Sequence, residues 1–353
     1  MKRLLNTLYV TTQGAYLSKE GEAVRVQVGD ELKLRLPMHT LTSVVCFGQV
    51  SCSPFLLGAL AERGIAVAYL TEHGRFLASV HGNTSGNVLL RREQYRAADD
   101  GGRSAAIARN VVLAKVANSR NVLLRAARET GRSSDEEAGN HGLPEAAERL
   151  ASSLRELERE QFLAQGGTVD SVRGIEGDAA RVYFGAFGSL LATGDETLRF
   201  KGRTRRPPLD PINAVLSFVY TLLVHDVRGA CESVGLDPAV GFLHRDRPGR
   251  PSLALDLMEE LRPHLADRLA LSMFNRRQLQ RKDFEYQESG AVTLETDARK
   301  RVLVAYQERK QEEVLHPFLE ERVPIGLIPF VQAKLLARHL RGGLDGYPPY
   351  FWK

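Results

Sequence analysis

The sequence predicts an α+β chain with two domains, a small β-rich one at the N-terminus and a larger all-helical one after it. Three observations carry this. The 353 residues exceed what one compact core organises. The N-terminal part breaks into short runs rich in Val, Leu and Thr, separated by Gly and Asp turns. From Val88 onward the apolar residues recur at three- and four-residue spacing instead.

Taken in order, residues 4–11, 23–28, 31–36 and 43–47 read as strands, and Gly29-Asp30 joins the middle two as a hairpin. Ser53 caps a helix over 54–63 that Gly64 ends. Two further strands, 65–70 and 75–81, flank a turn at His73-Gly74. Gly82-Asn83-Thr84-Ser85-Gly86 reads as a flexible connector. Helices are expected over 105–128, 145–162, 172–191, 212–234, 252–274, 297–313 and 323–340, with a polar, acidic loop at 131–142. The aromatic, proline-broken end, Tyr347-Pro-Pro-Tyr-Phe-Trp, either packs on a neighbour or covers core. The expected organisation is a β-domain at 1–82, a linker at 83–87, a helical domain at 88–341 and a tail at 342–353.

Hydrophobic residues at 43% and charged ones at 26% place the chain among ordinary soluble globular proteins. No stretch reads as a bilayer span, and the start turns polar too early for a secretion signal. Cys46, Cys52 and Cys231 follow no zinc-ligand spacing and leave an odd thiol, so a reduced, cytoplasmic protein is expected. The formal charge of +5 decides little alone. Its arginines cluster at 91–96, 201–206, 245–250 and 276–282, and the guanidinium fork suits phosphate oxygens. Any single cluster is as readily a solvated surface. Several of them around one acidic site point to nucleic acid.

That acidic site begins at Gly241-Phe-Leu-His, continues through a basic loop and ends in Ser252-Leu-Ala-Leu-Asp-Leu-Met-Glu-Glu-Leu-Arg-Pro. Ser252 is read as the N-cap of the helix. Asp256 lies three residues from Glu259 and four from Glu260, which puts the acids on neighbouring turns of one face. Acids beside His244 point to a divalent metal. Glu176 stands near the start of an apolar helix among glycines and alanines that leave room for a close approach. Asn213 and Tyr220 are polar groups in a second apolar helix and need partners if buried. Each has a plain structural alternative. A lone His is more often core than ligand, Glu176 suits a helix N-terminus, and Asn213 suits an interhelical hydrogen bond. Spacing alone therefore leaves the metal site open.

Several segments, in order, resemble the large subunit of the CRISPR adaptation integrase, the CRISPR-associated endonuclease that inserts new spacers. They are Gly86-Asn-Val-Leu-Leu-Arg-Arg-Glu-Gln-Tyr-Arg, Arg173-Gly-Ile-Glu-Gly-Asp-Ala-Ala-Arg-Val-Tyr-Phe, Asp210-Pro-Ile-Asn-Ala-Val-Leu-Ser-Phe-Val-Tyr, Gly241-Phe-Leu-His and the helix from Ser252. The opening Asn6-Thr-Leu-Tyr-Val-Thr-Thr resembles members found with type I-C systems. The resemblance implies an N-terminal β-sandwich, an all-α C-terminal domain, and Glu176, His244 and Glu259 as ligands of Mg²⁺ or Mn²⁺. Where some members carry aspartate, Glu259 keeps the ligand oxygen and reaches one methylene further. Asp256 matches an accessory acidic position, so it joins the catalytic set, and Asn213 and Tyr220 fall on recurring positions as support.

The implied reaction is transesterification, a 3′-hydroxyl attacking a phosphodiester of the CRISPR repeat, with Arg245, Arg247 and Arg250 holding DNA. Arg173 and Arg181 are weaker candidates because acids stand nearby. Implied partners are double-stranded DNA (prespacer and repeat), a second copy of the chain, and a small ferredoxin-like adaptation protein. No membrane is involved. A non-catalytic DNA-binding scaffold and a general branched-DNA or RNA nuclease are the alternatives.

Overall fold

The computed structural model describes residues 6–72, 76–80, 82, 87–130, 142–159, 167–192 and 194–352. The chain forms two compact units, one of Met1–Gly86 with Thr296–Glu312, the other of Asn87–Glu295 with Glu313–Lys353. The first begins with β1 (Asn6–Val10), β2 (Ala15–Glu20), β3 (Ala23–Val28), β4 (Glu31–Pro37), β5 (Leu41–Phe47) and β6 (Ser51–Cys52). α1 (Pro54–Glu62), β7 (Ala66–Leu70) and β8 (Phe76–Val80) complete it.

The strands form two four-stranded sheets, β1-β5-β7-β8 and β4-β3-β2-β6. Gly29 takes the left-handed conformation (φ +57°) that the two-residue turn between β3 and β4 requires. Alternation does the rest: Leu8 and Val10 of β1, Leu17 of β2, Val24 and Val26 of β3, and Val44 and Cys46 of β5 share one core with Leu56 and Leu60 of α1. Both sheets bury their inner faces there, which makes the unit the expected sandwich. Ser53 caps α1, its Oγ accepting from Leu56 N at 3.2 Å.

The second unit opens with α2 (Val88–Asp99), α3 (Gly101–Thr130), α4 (Leu143–Glu158) and α5 (Val169–Ala186). Along α3, Ala105, Ala108, Val112, Val116, Ser119 and Leu123 are buried at helical intervals, and α4 and α5 pack on it. Asp210 caps α6 (Pro211–Val234) through Asn213 N at 2.8 Å, and Gly235 closes it at φ +93°. By length and composition α6 could cross a membrane, with mean hydropathy 1.3, which corrects the expectation that no stretch could. Over half of that apolar window, 56%, is buried inside the protein.

The helix expected over 252–274 is in three pieces: α7 (Ser252–Glu259), a π-helical turn at Arg262–Asp267 and α8 (Arg268–Asn275). Pro263 lacks an N–H and its ring crowds the carbonyl one turn back, so the regular ladder breaks there. Ser252 is not the cap. It is the first helical residue, and its Oγ donates to Arg245 O at 3.2 Å.

Two hairpins interrupt the helices, β9 (Phe284–Tyr286) with β10 (Val292–Leu294) and, after α9 (Thr296–Gln311), β11 (Glu313–His316) with β12 (Glu321–Pro324). β12 occupies the start of the expected 323–340 helix, so α10 (Ile328–Leu340) begins later. The expected 88–341 domain differs in two main respects: α9 groups with the first unit, and the segment expected as a separate tail groups with the second. Ala298, Val302, Leu303, Tyr306 and Lys310 form the single buried stripe of α9, and Lys310 Nζ donates to Thr7 Oγ1 at 3.4 Å. The tail covers core: Tyr347, Tyr350 and Trp352 are buried. Most of the 83–87 linker, the turn at His73-Gly74 and residues 131–141 of the acidic loop lie outside the described residues.

Candidate active site

Asp256 organises the centre. It lies on α7 and is 1% exposed, so its charge must be matched locally. Oδ2 accepts from the backbone N–H of Phe242 (2.6 Å) and Leu243 (2.9 Å), and Oδ1 from that of His244 (2.9 Å). Oδ1 also stands 2.7 Å from His244 Nδ1. One carboxylate thus grips the Gly241–His244 loop by three amides and fixes the imidazole. Gly241 makes the grip possible, because a Cβ there would lie 2.7 Å from Asp256 Oδ2.

With Nδ1 tied down, His244 presents Nε2, which lies 3.9 Å from Glu259 Oε1. Glu259, 2% exposed, is one helical turn beyond Asp256. Arg262 Nη1 pairs with its Oε1 at 2.6 Å and Lys115 Nζ with its Oε2 at 2.7 Å. Burial raises the Glu259 carboxyl, but Arg262, Lys115 and His244 together outweigh burial and hold it at about 2. The surrounding cations therefore favour its ionised form. Glu176 lies on α5 in line with buried Val172, Ala179 and Tyr183. Its Oε1 meets the same Lys115 ammonium. A Cβ at Gly174 or Gly177 would meet nothing within 4 Å, so the room expected around Glu176 is open space.

Among the described residues, no three His, Cys, Asp or Glu side chains stand close enough to hold an ion in their present positions. The physical reason is visible. Lys115 draws the Glu176 and Glu259 carboxylates onto its ammonium, and Arg262 takes the other Glu259 oxygen. The donors themselves fit a hard divalent cation, with two carboxylates, an imidazole nitrogen held in one orientation, and cationic side chains already marking where positive charge is favoured. Glu260 is turned away. It is buried and accepts from Tyr347 Oη (2.6 Å), Tyr350 N (2.8 Å) and Gln332 Nε2 (2.9 Å).

The other expected residues sit one step back. Tyr220 Oη donates to Asp267 Oδ1 at 2.5 Å, and its ring faces the Arg262 guanidinium at 4.7 Å and that of Arg203 at 5.3 Å. It therefore supports the arginine that holds Glu259. Asn213 is fully buried and satisfied: Nδ2 donates to Gly202 O and Asp210 Oδ2, and Oδ1 accepts from Arg203 Nη1 and Thr204 N. Arg245 pairs with Asp170 at 3.1 Å, Arg173 pairs with Asp170 at 2.6 Å, and Arg181 pairs with Asp178. Arg245 and Arg247 are exposed and Arg250 half-buried. His244 and Arg245 line an open cavity of about 400 Å³ together with Tyr95 and Arg173. A larger one, about 770 Å³, is lined by Arg181, Arg199, Lys201, Arg203 and Arg205.

The family model described as CRISPR associated protein Cas1 matches residues 8–308. The chain belongs to the Cas1 family. It is 52% identical over 353 residues, the full length of both chains, to CRISPR-associated endonuclease Cas1 1 of Chlorobaculum tepidum. It is 55% identical over 354 residues, again full length, to CRISPR-associated endonuclease Cas1 2 of Rhodospirillum rubrum. The Cas1 fold is shared with a solved CAS1 protein from Thermotoga maritima, at a TM-score of 0.79 and 22% identity, covering 99% of this chain and 100% of that one. A casposase bound to integration product has the same fold, with a TM-score of 0.82, 20% identity, and 99% and 95% coverage.

Lys115 and Arg262 are the site residues that sequence reasoning missed. For Lys115 a signal existed, since it is the lone charge in Val111-Val-Leu-Ala-Lys-Val-Ala, a run otherwise suited to a core helix.

Proposed function

We propose that this Cas1-family endonuclease is a metal-dependent DNA integrase in which Glu176, His244 and Glu259 hold Mg²⁺ or Mn²⁺ and which inserts new spacers into a CRISPR array. The observation that carries the reading is the Asp256 grip, which spends a buried charge and three amides on aiming His244 Nε2 toward an ionised, buried Glu259. A purely structural acid needs no such aim. Once bound, the cation supplies Lewis-acid polarisation of the scissile phosphodiester.

The chain's own residues do the rest. Asp256 orients His244, Arg262 fixes Glu259 while Tyr220 braces Arg262, and Arg245, Arg247 and Arg250 hold backbone phosphate. A 3′-hydroxyl of the incoming strand attacks a repeat phosphodiester. The new P–O bond replaces the old one, whose oxygen departs as a 3′-hydroxyl, so one ester is exchanged for another. Water in the place of the hydroxyl gives nuclease activity. The complex would act in the cytoplasm, as a homodimer joined to the small ferredoxin-like adaptation protein. A solved chain of the same fold, at 24% identity and a TM-score of 0.63, comes from a structure described as a partial Cas6-RT-Cas1--Cas2 complex.

His244→Ala is the test. Strand transfer into repeat-containing DNA, with the small partner present, is expected to fall at least a hundredfold, within the usual cost of removing a positioned catalytic group, while DNA binding by gel shift is retained. Undiminished transfer would overturn the catalytic role of His244, and equal transfer by the wild type into unrelated DNA would favour the general nuclease.

A further inference from the structure

Lys115 has no part in the scheme above, yet it touches two of its three proposed ligands. It lies on α3 with 12% of its side chain exposed. Its ammonium meets Glu176 Oε1 from α5 and Glu259 Oε2, at 2.7 Å, from α7. Burying a lysine is costly unless the charge is matched, and here two carboxylates from two helices match it. The converse also holds: Glu259 is buried, and without a nearby cation it and Glu176 would repel.

Charge counting shows what happens when a divalent ion arrives. Glu176, Glu259, Lys115 and Arg262 sum to zero. Adding two positive charges while Lys115 stays on the same oxygens would place an ammonium in direct contact with the ion's ligands, where like-charge repulsion is strong. Ammonium and ion therefore compete for those carboxylates. A lysine, with its flexible stem, can swing off them; an arginine's planar fork would be harder to move.

We propose that Lys115 is a resident counter-cation of the centre: it holds Glu176 and Glu259 in place before metal arrives, and the metal must displace it. The proposal rests on the metal-site reading above. Its consequence is that the chain weakens its own metal affinity in exchange for a site that is assembled in advance.

The test measures Mn²⁺ affinity of the full-length protein without DNA, reading free Mn²⁺ by electron paramagnetic resonance. Lys115→Met and Lys115→Gln are expected to bind Mn²⁺ roughly tenfold more tightly than wild type, the effect of removing about one ion pair's worth of competition. In EDTA both are expected to melt at a lower temperature than wild type, with a larger gain on adding Mn²⁺. The glutamine variant keeps a polar group in the buried position, should methionine fail to fold. Unchanged or weaker Mn²⁺ binding by the folded variants would overturn the counter-cation role while leaving the site reading intact. Wild-type Mn²⁺ binding that is absent, or that Glu176→Gln leaves unaltered, would overturn both.

Discussion

At Asp267 two tyrosines, Tyr183 (3.1 Å) and Tyr220 (2.5 Å), donate to opposite oxygens of one buried carboxyl. Burial raises this group, the hydrogen bonds and Arg262 and Arg203 pull it down, and the balance leaves it at about 6, against an ordinary 3.8. The folded value exceeds the unfolded one. Its contribution to stability is therefore fully present below about 3.8 and is lost as pH rises through 6. Asp267→Asn, neutral at every pH, is expected to flatten the dependence of melting temperature on pH across that window. Thermal melts at closely spaced pH values, wild type beside variant, check it. Asp267 and Arg262 could not be singled out beforehand, since each reads as one more charge on a helix. Their importance comes from stacking Arg262 on Tyr220, a contact between helices. Glu176, His244, Asp256 and Glu259 were legible because charged groups stand out in apolar helices and beside a glycine, although the family resemblance, not spacing, joined Glu176 to the rest.

Among the elements, α3 does two jobs. One face delivers Lys115 to the centre. Another carries Asn110, Asn118 and Asn121, whose side-chain amides donate to the carbonyls of Tyr347 (2.9 Å), Tyr350 (2.9 Å) and Trp352 (2.5 Å). The tail is thereby laid along a ladder of asparagines. Trp352 ends it, stacked on His264 at 4.5 Å, with the guanidinium groups of Arg125 (4.3 Å) and Arg268 (4.6 Å) also over its ring. Glu260 closes the same cluster from the end of α7, and burial pushes its carboxyl up to about 7 despite the three hydrogen bonds it accepts. Trp352→Ala should cost about 3–5 kcal/mol, the usual loss for emptying a buried aromatic site, measurable by urea unfolding. The aromatic run could be read from sequence as something to be covered. What covers it could not, because the asparagines lie more than two hundred residues upstream.

For the whole molecule, the +5 charge is less telling than where the arginines fall. Those at 245–250 lie between His244 and α7, and others line the separate cavity with Arg199 and Lys201. Replacing Arg245, Arg247 and Arg250 together by alanine should lower DNA affinity across sequences and reduce the slope of log affinity against log salt by about one per lost phosphate contact. Fluorescence anisotropy over a salt series reads both. The β-then-α order was plain in the change of hydrophobic period near Val88. The assignment of α9 to the first unit was not, because its single buried stripe fits either partner and only the folded contacts decide.

Gly241 has a consequence for how such a centre tolerates change. The carboxylate it faces is already committed to three amides and an imidazole, and the carbonyl carbon of Ser252 closes the other side at 2.8 Å from a would-be Cβ. One added methyl therefore has nowhere to go except against the group that aims the histidine. The centre can be disarmed by a hydrocarbon, with every charge retained.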